Sequence, residues 1–270
     1  MSRPDLAAGA LCLLGALVAC TGETKYIGAD QPAAGCNAAP APPPGGLGLD
    51  PFYAKYLDAN GIPVLGSPQP SDAALSQACL IVVRMLAHHD TLRQALIADN
   101  MRVAVIARGE VTTDIPEYRD LTTAFPGTDW NALRGVGATL ARPVSSAGEE
   151  NLLCGDGDPY SGENILVQIF ASAIHLGASA IDPNFESTLG NDYHSAMAAG
   201  LWADTYADLN AGAYFAEGVQ DWFDANAQAT PPNGVQNAVN TRAELQRYDP
   251  TLAALVGSYL PSDDWRAVCP

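Results

Sequence analysis

Residues 163–178 read ENILVQIFASAIHLGA, and the fold turns on how that stretch is packed. Ile165, Leu166, Ile169, Phe170, Ala173 and Ile174 recur at helical spacing and make a wide apolar face. Asn164, Gln168, Ser172 and His175 form one polar stripe along the same helix. Buried amides and hydroxyls need partners, so the stripe is expected to face a cleft or a second polar helix. An amphipathic helix with its stripe in water is the plainer alternative.

A second helical segment, TYADLNAGAYFAEGVQDWFDAN at 205–226, favours the cleft. Tyr214, Phe215, Val219, Trp222 and Phe223 fall on one side of it, and Ala213, Glu217, Gln220 and Asp224 on another. Two helices of this kind, each with a polar line beside an apolar face, have a reason to meet.

Four stretches taken together carry a resemblance: GEENLL (148–153), GENILVQIFASAIH (162–175), GLW with TYA (200–207) and AYFAEGVQDWFDAN (213–226). Their order and spacing resemble the catalytic domain of anthrax lethal-factor-type zinc metallopeptidases, over a span from about Pro51 to the C-terminus. The resemblance implies an α+β, zincin-like architecture, with a small N-terminal sheet and helices followed by a helical C-terminal part. In that family one helix carries two histidines four residues apart with a glutamate base between them, and a later helix supplies a third, glutamate ligand. The spacing lets both histidines reach one zinc ion.

Carried onto this chain, the histidine positions are Gln168 and Ser172, the base is Ile169 and the third ligand is Ala213. A family tyrosine that assists the oxyanion corresponds to Tyr206, which is retained. A neutral amide, a protonated hydroxyl and two hydrocarbon side chains are poor zinc donors, and a hydroxyl alone does not activate water. The resemblance therefore implies a pseudopeptidase with no metal and no cofactor. Its vestigial cleft, lined by Asn164, Gln168, Ser172, His175, Tyr206 and Glu217, would hold a polypeptide without cutting it. The alternatives are an active hydrolase with a relocated site and a structural cell-envelope lipoprotein.

Replacement sites are thin. Ser172 and His175 are three apart on one helix, which permits contact, but the sequence identifies no orienting carboxylate and no strained elbow for the serine. His88 and His89 are expected to cap the end of a helix, and His194 to lie on another helix with no nameable partner. Glu149, Glu150, Asp156 and Asp158 hint at a carboxylate pair or a calcium loop. The later ligands of such a loop are missing, so a solvated acidic turn is expected. Glu217, without neighbouring ligands, is expected to hydrogen-bond near the old cleft.

The N-terminus points to export. Residues 7–19 form an apolar run too short to span a bilayer, and it leads into Leu17-Val18-Ala19-Cys20. This is similar to the lipobox of bacterial lipoproteins, which implies a signal peptide over 1–19, lipidation of Cys20 and a membrane-anchored or secreted chain. Beyond it stand Cys36, Cys79, Cys154 and Cys269, an even number in an exported protein, so two disulfides are expected with three pairings open. The net charge of −17 argues against nucleic acid and anionic headgroups as partners, leaving the lipid anchor as the membrane contact.

Residues 20–50 are rich in Pro, Ala and Gly and are expected to be a tether, with the domain over 51–270. Inside it, Ser71 is placed to cap a helix running through AALSQACLIVVRMLAH, TLRQALIADN gives a second helix, and RVAVIAR a buried strand. Residues 109–162 read as loops with short elements.

Overall fold

The structure, a computed structural model, describes residues 35–267 and has a mixed α+β fold. The expected signal peptide, Cys20 and Cys269 lie outside those residues. Four short strands form one sheet in sequential order: β1 (Lys55–Ala59), β2 (Ile62–Gly66), β3 (Arg102–Ile106) and β4 (Val144–Gly148). β1 and β2 are an antiparallel hairpin turning through Asn60 and Gly61, both at positive φ. β3 joins β2 in parallel and β4 joins β3 in parallel, so long crossovers separate them.

The first crossover holds α1 (Asp72–Met85) and α2 (Asp90–Ala98). Ser71 caps α1 by accepting from the Ala74 N–H at 3.3 Å. α1 stops at Met85, and His88 adopts positive φ in the turn before α2. The two histidines therefore belong to a turn rather than to the helix end expected of them. His89 is pushed toward its neutral form, mainly by burial.

Alternation in β3 sends Val103 and Val105 to one face of the sheet and Ala104 and Ile106 to the other. The first pair joins the main core with α1 and α2, and the second a smaller core with Leu65, Ile115, Tyr118, Leu121 and Val144. Burial on both faces explains why β3 reads as an unbroken apolar run.

Residues 35–50, the described end of the segment expected to be a tether, are attached to the domain at several points. Cys36 is buried and disulfide-bonded to Cys79 of α1, Ala41 bridges to Tyr56 of β1, and Asp50 pairs with Arg119 at 2.9 Å. Pro and Gly prevent regular structure there, but they do not prevent a covalent and polar tie to the domain. Cys154 is disulfide-bonded as well.

The helical part begins after two short helices, α3 (Leu121–Ala124) and α4 (Glu149–Leu152). It comprises α5 (Ile165–Ile181), α6 (Phe185–Ala198), α7 (Ala211–Trp222), α8 (Arg242–Tyr248) and α9 (Pro250–Tyr259). α5 lies between the sheet and α7, with Leu166, Phe170 and Ile174 fully buried. Each such side chain contributes roughly 2–3 kcal/mol of transfer free energy. Asn151 of α4 caps α5 from outside: its Oδ1 accepts from the Ile165 N–H at 2.8 Å, while its Nδ2 donates to the Glu163 carbonyl at 2.9 Å. α7 is buried from Ala213 through Trp222, with Asn210 accepting from the Ala213 N–H at its start.

Among the described residues no helix is long and apolar enough to cross a membrane.

Candidate functional site

Three chain segments meet around a cavity of about 340 Å³. α5 supplies Gln168, Ile169, Ser172, His175 and Leu176, the turn before α7 supplies Tyr206 and Asn210, and α7 itself supplies Ala213 and Ala216. Gly137, Ala138 and Thr139 close the third side. All four positions aligned with zinc ligands or base, together with Tyr206, thus border one space. His175 borders it too.

The other two residues expected in the cleft lie elsewhere. Asn164, at the start of α5, borders a separate cavity of about 350 Å³ with Asp158, Glu163 and Asp224. A one-turn displacement along α5 from Gln168 is enough to move it to the far end. Glu217 is 2% exposed and sits behind the wall, where Gln168 covers it.

Glycine brings the third wall close. A Cβ on Gly137 would stand 2.7 Å from the Ser172 Oγ, and one on Gly135 would stand 3.2 Å from the Ile169 Cγ1. The segment also runs along β4. The N–H groups of Ser146 and Gly148 donate to the carbonyls of Val136 and Arg134 at 3.0 and 2.7 Å. Val136 directs its own N–H to the Ser146 Oγ at 3.1 Å, whereas the backbone groups of Gly135 and Gly137 have no partner among the described residues.

Polar groups around the cavity are held from behind. Gln168 Nε2 donates to the Glu217 Oε2 at 3.2 Å, and Asn226 Nδ2 donates both to the Glu217 Oε1 at 2.8 Å and to the Asp221 Oδ1 at 2.9 Å. No arginine or lysine neutralises this pair, so burial pushes the Glu217 carboxyl up to about 7 and holds Asp221 well above the carboxylate range. The Asp221 Oδ2 is buried with no partner. Burial also raises the Tyr206 hydroxyl, with the Glu217 charge adding to it.

His175 has the orienting carboxylate that was not legible in the sequence. Its Nε2 lies 2.8 Å from the Glu186 Oε1, on α6, and the Ser179 hydroxyl donates to the same oxygen. The ring also packs edge-on against Phe185 and Phe215, at 5.2 and 5.9 Å. Ser172, however, donates its hydroxyl hydrogen to the Ile169 carbonyl at 2.7 Å, away from any serine–histidine relay.

Zinc, which the resemblance implies for active members of that family, does not fit these donors. The Gln168 amide is turned to Glu217, the Ser172 proton is on the oxygen and engaged, and Ile169 and Ala213 offer only hydrocarbon. Among the described residues no group of three His, Cys, Asp or Glu side chains is arranged to hold a metal ion. That includes the acidic turn: Asp158 accepts from Asn151 and from the Tyr160 N–H, both at 2.9 Å, and so braces its own loop. Glu149 caps Ser71 at 3.0 Å, and Glu150 pairs with Arg134. His194 lies on α6, its ring 5.4 Å from that of Tyr193. No family model and no curated protein matches the chain.

Proposed function

We propose that the chain is an exported, lipid-anchored pseudopeptidase: a zincin-like domain, related to the anthrax lethal-factor-type peptidases, that binds a polypeptide segment without cleaving it. One observation carries the reading. Residues 168, 169, 172, 206 and 213, picked from the sequence by that resemblance, border a single cavity, although 45 residues separate the outermost two. The chemistry left at those positions can neither bind zinc nor activate water.

The cavity wall supports polypeptide as the ligand class. Gly135 and Gly137 leave backbone donors and acceptors open beside it, as an added strand requires. Leu140 and Leu209, the most exposed large apolar residues described, at 66% and 67%, are the chain neighbours of Thr139 and Asn210, which line the cavity. Apolar side chains left in water around a cavity mark contact surface.

Metal analysis of protein purified without chelators tests the first half. Less than roughly a tenth of an equivalent of zinc is expected, because the donor set lacks anionic and imidazole ligands; near-stoichiometric, tightly held zinc would overturn the reading. As a positive control, Gln168→His, Ile169→Glu, Ser172→His and Ala213→Glu together should create zinc binding. A folded quadruple variant that binds none removes the family assignment on which the reading stands.

A further inference from the structure

The geometry points to an organic cation as the group held in the cavity: the ammonium of a lysine or the guanidinium of an arginine, seated against α5. The polypeptide reading above supplies only the source of that side chain. Hydrogen-bond accounting along α5 supplies its chemistry.

Three successive polar groups on that wall each give a hydrogen to a protein partner. Gln168 gives one Nε2 hydrogen to Glu217, which leaves the second hydrogen and Oε1 without a protein partner. Ser172 gives its hydroxyl hydrogen to the Ile169 carbonyl, which leaves the oxygen lone pairs. His175 faces the Glu186 carboxylate through Nε2; a carboxylate only accepts, so Nε2 carries the hydrogen, and whenever the ring holds a single hydrogen Nδ1 is an acceptor. The wall thus offers three acceptors, matching the three donors of an ammonium.

A carboxyl group stands behind two of the three. Glu217 backs Gln168 and Glu186 backs His175, and hydrogen bonds in series polarise one another toward the cavity. Glu186 is ionised: hydrogen bonding from Ser179, then from His175, lowers it despite some burial. No lysine or arginine borders the space, and the chain as a whole carries −17. Donors on the lining are the Nδ2 of Asn210, whose Oδ1 is engaged by Ala213, the second Nε2 hydrogen of Gln168 and the Tyr206 hydroxyl; that of Asn210 suits a ligand carbonyl. Ile169, Leu176, Ala213 and Ala216 give apolar contact for the methylenes of a long basic side chain. Neutral acceptors and no direct carboxylate contact suit a weakly coordinating organic cation rather than a divalent metal.

Calorimetry on the folded wild type, above the titration range of histidine, tests this with three probes. They are acetyl-Gly-Ala-Lys-Ala-Gly-amide, the same peptide with norleucine for lysine, and n-butylammonium chloride. The lysine peptide is expected to bind at least roughly tenfold more tightly than the norleucine peptide. Gln168→Leu and the milder Ser172→Ala should each reduce that preference. Equal or tighter norleucine binding overturns the inference and leaves the polypeptide reading intact. Butylammonium binding that falls in Ser172→Ala, with neither peptide bound, upholds the inference and removes polypeptide as the source. A lysine preference unchanged in both variants places the cation elsewhere and overturns the inference, as does no binding of any probe.

Discussion

Two buried acid sites in this molecule are solved in opposite ways. In the sheet half, Glu150 meets the Arg134 guanidinium, whose remaining donors reach the Glu110 and Ala107 carbonyls at 2.6 and 2.9 Å. Burial alone would raise Glu150, but the hydrogen bonds and charge of Arg134 outweigh it and hold the carboxyl below its ordinary range. In the helical half, Glu217 and Asp221 have only the amides of Gln168 and Asn226, and burial wins. The first arrangement fixes a charge in place. The second stores a proton one side chain away from the cavity.

The contrast breaks most visibly at Arg134. Arg134→Met removes the cation from a carboxylate that is 5% exposed, leaving it buried and unpaired. A loss of about 3–5 kcal/mol of unfolding free energy is expected by denaturant titration at neutral pH. The same arginine fixes the chain leading into Gly135, so the cavity's third wall should loosen too. A loss under about 1 kcal/mol would make the pair an ordinary surface bridge.

The helical half should respond to pH in the reverse sense. Glu217 titrates near 7 when folded, against an ordinary value of 4.5, so between those values the native state holds a proton that the unfolded state has released. Its contribution is complete below about 4.5, falls as pH rises, and is gone above about 7, a swing of about 3 kcal/mol. Glu150 behaves oppositely, since its depressed value makes its contribution fade as pH falls. Urea denaturation of wild type and Glu217→Gln across this range checks the sign. The difference between them should shift steadily from pH 4.5 to 7 in favour of the glutamine variant; a flat difference means Glu217 is ionised throughout.

How much of this was legible in the sequence depended on range. Ser71 and the apolar spacing after it announced α1, and the run 102–108 announced β3, because capping and β-branched runs are local signals. β4 was missed: VSSAG is buried at every position, yet it has neither alternation nor bulk, and only its parallel pairing with β3 makes it a strand. β1 and β2 carry no clear strand signal either, being short and holding Lys55, Asp58 and Pro63. At the site, Gln168, Ser172 and Ala213 were picked out by resemblance, whereas the partners that set their chemistry lay beyond sequence spacing. Glu217 is 49 residues from Gln168, and Glu186 lies across the turn from α5 to α6. Residue type told what each group can donate; packing decided where the donation goes.

The smallest effect sharpens the comparison most. Asp221 shares its one amide donor with Glu217, a turn away on α7, and its second oxygen is buried without a partner. Asp221→Asn keeps the shape, removes the acid that burial and then the Glu217 charge push up, and requires the Asn226 amide to meet a carbonyl rather than a carboxyl oxygen. Glu217 should then titrate close to its wild-type position, because burial and the Glu163 charge, which raise it, both remain. Carbon-detected NMR of the Glu217 carboxyl in wild type and variant reads the shift directly. Stability at neutral pH should change by no more than about 1 kcal/mol, since the side chain keeps its size and its acceptor for the Asn226 amide. A Glu217 that drops clearly in the variant would mean that Asp221 carries charge while Glu217 titrates, and that the helical half holds one coupled site rather than an acid set by burial and Glu163.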